Sequence, residues 1–232
     1  MPKARLEVGN TIQAARVSLE ENASIILRVT VLFSVLSALS ALVNLAGAAG
    51  LALSFGLLVL FGAIYGGMVT ALLCIPGKTE GMGELWSVVR PVLARLIWVT
   101  LVTAVCFFLG LLAFFIPGLI IITIWSVAGQ SIVVERKGVF ESLGRSYELV
   151  QGNAWRVFFY LLILGLLTLL LLGLTLLVAA PLGEGPIASV IASFLGNLLS
   201  TPVAAIGTAV LYNQLTGLKL QVEPGGNSPY DG

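Results

Sequence analysis

Residues 29–77 read VTVLFSVLSALSALVNLAGAAGLALSFGLLVLFGAIYGGMVTALLCIPG, 49 consecutive positions without a Lys, Arg, Asp or Glu. About 20 apolar residues in a helix cross a hydrocarbon core of roughly 30 Å. The stretch is therefore too long for one crossing and suits two. Asn44, Gly47 and Gly50 interrupt it near the middle, which predicts helices over 26–46 and 51–74. The same pattern recurs along the chain, in charge-free stretches at 96–134, 157–183 and 185–218. The first of these is divided by Phe115-Ile116-Pro117-Gly118, because Pro lacks an N–H and Gly permits a turn. That predicts helices over 96–115 and 118–135. Spans over 156–179 and 187–213 follow, separated by Ala180-Pro181-Leu182-Gly183-Glu184-Gly185-Pro186. The reading is an all-α polytopic membrane protein with six transmembrane helices.

Composition agrees. The 232 residues are 58% hydrophobic and 10% charged, against about 25% charged in soluble domains. Residues 47–50, 116–117 and 180–186 contain no Lys or Arg, and all 12 basic residues lie at the termini, in the other loops, or at helix ends facing them. By the positive-inside rule both termini are cytoplasmic. The expected location is the plasma (inner) membrane. The polar start, MPKARLEVGNTIQAARVSLEEN, does not resemble a signal peptide, so the N-terminus is expected to remain uncleaved.

Three segments on the cytoplasmic side share a pattern. In 8–22, Val8, Ile12, Ala15 and Leu19 fall on one helical face; in 82–95, Met82, Trp86, Val89 and Leu93 do so; in 139–154, Val139, Leu143 and Val150 are in register. They predict three short amphipathic helices at the cytoplasmic face. Each precedes two spans, so 8–75, 82–135 and 139–213 read as a threefold parallel internal repeat inside one membrane domain, 1–218. Residues 219–232 read as a disordered cytoplasmic tail, being rich in Gly and Pro.

The spans differ in kind. Residues 161–177, LLILGLLTLLLLGLTLL, are apolar all round and belong at the lipid-facing periphery. In the sixth span Ala188, Ala192, Gly196, Ser200, Ala204 and Thr208 recur every fourth residue, a ridge of small side chains that allows close packing. Gly62 and Gly66 of the second span are its expected partners, and the sixth span is expected to be the best buried. The polar residues at membrane depth, Asn44, Gln130, Asn197, Ser200 and Thr201, either bond between helices or line a path through the first, fourth and sixth spans. Coupled transport normally needs intramembrane charge, and the span middles have none.

Catalytic constellations are missing. The chain has no His, its single Asp is Asp231, and Cys74 and Cys106 sit in separate apolar stretches. No catalytic, cofactor or metal-binding residue is assigned, and no cofactor is expected. A net charge of +1 gives no electrostatic case for nucleic acid.

Ile116-Pro117-Gly118, Trp125 and then IVVERKGVFESLGRSYELVQGNAWRVF (132–158) resemble the signature segment of the membrane-domain family that accompanies bacterial glycerophosphoryl diester phosphodiesterases, and related six-span inner-membrane proteins of unknown function. The resemblance rests on Pro-Gly opening the fourth span, Glu135 closing it, Arg145-Ser146 in a short helix, and Asn153-x-Trp155-Arg156 leading into the fifth span. It implies a membrane module alone, since that family's phosphodiesterase chemistry belongs to a separate soluble barrel. From the residues, Glu135, Arg145, Ser146, Asn153, Trp155 and Arg156 form either a cytoplasmic clamp or a contact for an anionic headgroup. In the clamp reading, Glu141 and Glu148 pair with Arg145 at helical spacing, and Glu135 ties the fourth span to the short helix.

The expected role is thus a non-enzymatic membrane module that organises or senses the bilayer or scaffolds a partner. The alternative is a passive channel or lipid-translocating protein. Expected partners are membrane lipids, a protein at the cytoplasmic face, or further copies of the chain in a homo-oligomer.

Overall fold

The computed structural model describes residues 6–43, 47–75, 81–113, 115–183 and 185–222; Asn44 lies outside them. The described residues form nine α-helices and no strand: α1 Val8–Val43, α2 Gly47–Cys74, α3 Met82–Val89, α4 Leu93–Ala113, α5 Phe115–Ile124, α6 Ala128–Glu135, α7 Val139–Val150, α8 Ala154–Ala179 and α9 Pro186–Val222. Six helical segments are long and apolar enough to cross a membrane, and the chain is a multi-pass membrane protein. The fourth crossing is α5 and α6 together.

The first amphipathic segment is not a separate helix. Between Asn10 and Val43 there is neither Pro nor Gly, so nothing stops the helix at the membrane surface. α1 runs through as one rod of 36 residues, about 54 Å long at 1.5 Å per residue. α9 is equally long, continuing through Pro202 and on to Val222, four residues into the segment read as a tail. These two rods form the most extensive helix pair. Ser18 faces Asn213 at one end and Thr30 faces Thr201 further along, so they run antiparallel. α3 is nearly continuous with α4, joined through a 3-10 turn at Arg90–Val92 in which Pro91 occupies the first turn and costs no helical bond. Its buried face is Leu85, Val88 and Val89, while Trp86 is exposed, so the face lies beside the expected one.

The fourth span differs from expectation in two ways. Its helix begins at Phe115, with Pro117 accommodated in the first turn, and it breaks at Trp125–Val127. At the α4–α5 hairpin, a Cβ on Gly110 would stand 2.8 Å from Gly118 N and 2.9 Å from Gly118 Cα. Only two glycines allow backbones that close. After Ala179 a 3-10 turn, Ala180–Leu182, ends at Gly183 with φ 75°, a left-handed conformation suited to glycine.

Burial is concentrated toward the end that carries Leu6, Glu135 and Tyr212, here called the basic end. One buried cluster includes Ile26, Val29, Tyr65, Leu85, Val89, Ile132 and Val210. The other includes Leu6, Val127, Leu149, Val157, Tyr160, Leu211 and Tyr212. In the hydrophobic stretch of α2 half the residues are buried, against 17% in α9 and 6% in α8. The fifth span is accordingly the most exposed. The second, not the sixth, is the best buried, because α1, α3, α4, α6 and α9 all pack on it. The small-residue ridge of α9 meets α8 instead: a Cβ on Gly196 would sit 3.4 Å from Leu172 Cδ1. Ala192 is half-buried in the same row. No neighbour comes within 4 Å of a Cβ at Gly62 or Gly66. The tight contacts are at Gly67, against Leu96 and Val89, and at Gly207, where Leu164 comes within 2.7 Å of the missing Cβ.

Candidate functional site

At the basic end, Glu135 closes α6 and its side chain is only 8% exposed. Its Oε1 accepts from Arg145 Nε at 3.1 Å and from the Tyr212 hydroxyl at 2.8 Å, and its Oε2 pairs with Lys137 Nζ at 2.8 Å. One carboxylate thus joins the fourth span, α7 and the sixth span. Desolvating a carboxylate is costly unless it is paired and hydrogen-bonded, and here three donors supply the pairing. Arg145 also donates to Glu148 at 3.4 Å. Burial works against the Arg145 charge, yet the hydrogen bond and field of Glu135, with Glu148, outweigh it and raise its pKa. Glu141 does not pair with Arg145: its Oε2 accepts from Gly138 N at 3.0 Å and caps its own helix. Arg136 lies between these groups in the left-handed region (φ 57°), and its carbonyl accepts from Arg95 at 2.8 Å.

Ser146 has a different task. Breaking a helix at Trp125–Val127 frees backbone groups in a buried place, and each must find a partner. The Ser146 hydroxyl donates to Ile124 O at 2.7 Å and accepts from Val127 N at 3.3 Å. It replaces the missing helical bonds. Asn153 and Arg156 act on a third contact. Asn153 Oδ1 accepts from Leu6 N at 3.2 Å, and the Arg156 guanidinium donates to Leu6 O. Together they hold the segment before α1 against the start of α8. Trp155 points away, 74% exposed, stacked on Phe159 with ring centroids 5.9 Å apart.

The six clamp residues are therefore brought to one end but divide among three separate contacts and an exposed ring. Both arginines direct donors to protein acceptors. Tyr212, fully buried, was not foreseen, because a lone Tyr near the end of a span gives no pattern to read.

The intramembrane polar residues also separate. Asn197 and Thr201 line a cavity of about 80 Å³ with Thr30, Ser34, Ser37, Leu58, Phe61, Gly62 and Tyr65. It lies among the first, second and sixth spans. Gln130 of the fourth span is half-buried and does not line this cavity. Ser200 donates to Gly196 O at 2.6 Å within its own helix. The row Thr30, Ser34, Ser37 was visible in the sequence as hydroxyls on one face of α1.

A second space, about 230 Å³, is a groove between α1, α8 and α9. Its walls include Ile12, Ala15, Leu19, Ile163, Leu167, Val203 and Ile206, with Arg16 as the one charged lining residue. Two of the residues predicted to lie on the apolar face of the first segment, Ile12 and Leu19, remain 45% and 41% exposed because they border this groove. The Arg16 side chain, 79% exposed, pairs with Glu20 at 2.8 Å.

No curated protein and no solved structure matches the chain. The family described as a domain of unknown function (DUF7847) matches residues 83–216, more than half of the 232-residue chain, and the protein belongs to that family.

Proposed function

We propose that the protein is a non-enzymatic membrane module that interacts with bilayer lipid and organises or senses it. The observation that carries this reading is the apolar groove bordered by Arg16. An acyl chain matches its walls, and an anionic headgroup matches an exposed guanidinium whose only partner among the described residues is the single carboxylate of Glu20. Phosphate oxygens accept from guanidinium in a bidentate manner, so exchange of Glu20 for a phosphodiester is chemically simple. Exposed Trp155 and Phe140 at the basic end suit an interfacial belt. The reading places the chain in the plasma (inner) membrane with the basic end and both termini cytoplasmic, supported by the absence of Lys and Arg from the opposite loops. It retains the threefold repeat, supported by the order in which α1, α3 and α7 each open a pair of spans. It also retains the kinship with phosphodiesterase-associated membrane domains, which the segment 116–158 supports.

The test is native mass spectrometry of delipidated protein given phosphatidylglycerol. Val203→Trp fills the groove and should lose a lipid that the wild type retains; Arg16→Gln should retain it more weakly. Equal retention by all three proteins would end the proposal.

A second reading, a passive channel or lipid-translocating protein, is favoured by the polar cavity around Asn197 and Thr201. Liposomes reporting ion flux and lipid flipping separate the two, since the first reading predicts neither activity. Scaffolding of a partner at the cytoplasmic face predicts co-purification from native membranes, and a homo-oligomer predicts a multiple of the chain mass in detergent.

A further inference from the structure

The cavity among α1, α2 and α9 lies at about the middle of the apolar stretches of the first, second and sixth spans, where Ser37, Gly62 and Thr201 meet. Six of its ten lining residues carry a hydroxyl or an amide. Most of their hydrogen-bonding capacity is accounted for. Thr30 donates to Ile26 O at 2.6 Å and so accepts from the Tyr65 hydroxyl at 2.8 Å. Asn197 donates to Ser193 O at 2.8 Å, and Thr201 reaches Asn197 Oδ1 at 3.5 Å. Among the fully buried members Ser34 is the exception. It is 1% exposed, it lines the cavity, and its Oγ has no hydrogen-bond partner among the described residues. A hydroxyl is not left unbonded in a dry interior without cost, and a lipid tail offers it nothing.

The space itself has an identifiable origin. Gly62 has no neighbour within 4 Å of where a Cβ would stand. Its missing side chain leaves the cavity next to Leu58, which is 57% exposed and marks a lateral mouth toward lipid. A cavity of 80 Å³ exceeds the roughly 10–15 Å³ needed for one water.

The lining also selects the charge of an occupant. None of the lining residues is ionisable near neutral pH, so an ion of either sign would be desolvated without a counter-charge. The occupant must accept from Ser34 and donate to the spare lone pairs of Tyr65, Thr201 or the Asn197 carbonyl. A hydroxyl group does both.

We propose that this cavity is a binding site for a neutral hydroxyl held by Ser34, provided either by water or by an alcohol-headed lipid that enters past Leu58. The inference is independent of the groove at Arg16, which lies further toward the basic end of α1 and against α8.

The test uses the full chain in nanodiscs and two probes. Hydroxyl-radical footprinting reports bound water as rapid oxidation of Tyr65 and Phe33, and native mass spectrometry with dioleoylglycerol reports the alcohol-headed lipid. The wild type should show one of the two signatures. Ser34→Ala should lose it and should melt no higher than the wild type. Gly62→Leu, which fills the cavity with Ser34 intact, should lose it too. The proposal is overturned if the wild type shows neither signature, or if Ser34→Ala retains the one it shows. An empty cavity has its own mark: Ser34→Ala would then melt higher, because the variant removes a buried hydroxyl that nothing bonds.

Discussion

Glu135 stands among three donors with almost no water, and each donor comes from a different part of the basic end. Removing one partner of a buried charge leaves the others uncompensated, which costs about 3–5 kcal/mol. Glu135→Ala should therefore lower stability by an amount of that order, measured by thermal unfolding in detergent. Glu135→Gln keeps an acceptor for Tyr212 and should cost less. Tyr212→Phe removes one hydrogen bond to a charged group, about 1.5–3 kcal/mol. Ser146→Ala strands Ile124 O and Val127 N at the break in the fourth span, so a loss of about 1–3 kcal/mol is expected. An unchanged melting temperature for Ser146→Ala would show that water satisfies those groups. The family resemblance singled out Glu135, Arg145 and Ser146, and helical periodicity assigned Arg145 to Glu141 as well as Glu148. Glu141 instead bonds the open N–H of Gly138 three residues back, a local cap that competes with the side-chain pair.

Among the helices, the distinction between useful and incidental glycines can be measured. At Gly110 a new Cβ would collide with the backbone of Gly118, which cannot swing aside as a side chain can. Gly110→Ala should cost on the order of 1–3 kcal/mol as overpacking, whereas Gly165→Leu, with no neighbour within 4 Å, should be nearly silent. Equal melting temperatures would show that the α4–α5 hairpin opens without penalty. The six spans were legible because charge segregation is a one-dimensional signal. The turn at Pro181-Leu182-Gly183 was legible from its Pro and Gly residues, which break a helix. The break at Trp125–Val127 was not, since the group that makes it tolerable, Ser146, is 22 residues from Ile124. The uninterrupted α1 was readable in principle, because no breaker divides its polar start from its apolar remainder. Which small-residue row packs closely was not readable: Gly62–Gly66 and Gly67 differ only in the face they present.

For the whole molecule, orientation is the first matter to test. With Cys74 and Cys106 replaced by Ala, a Cys at Lys219 should be labelled only from the cytoplasmic side and one at Gly183 only from outside. The opposite pattern would invert the membrane assignment. The family match over residues 83–216 contains the Glu135 cluster and both Asn153 and Arg156, while their partner Leu6 and the α1 walls of the groove and cavity lie before it. The basic residues divide into those turned inward to a buried acceptor and those held only on an exposed carboxylate. Arg145 belongs to the first set and Arg16 to the second. The sharpest comparison is phosphatidylglycerol retention by Arg16→Gln and Arg145→Gln, two variants of equal net charge, read by native mass spectrometry beside their melting temperatures. Arg16→Gln should lose lipid and keep its melting temperature; Arg145→Gln should keep lipid and melt lower. Lipid loss at Arg145 with unchanged stability, and full retention at Arg16, would contradict both assignments.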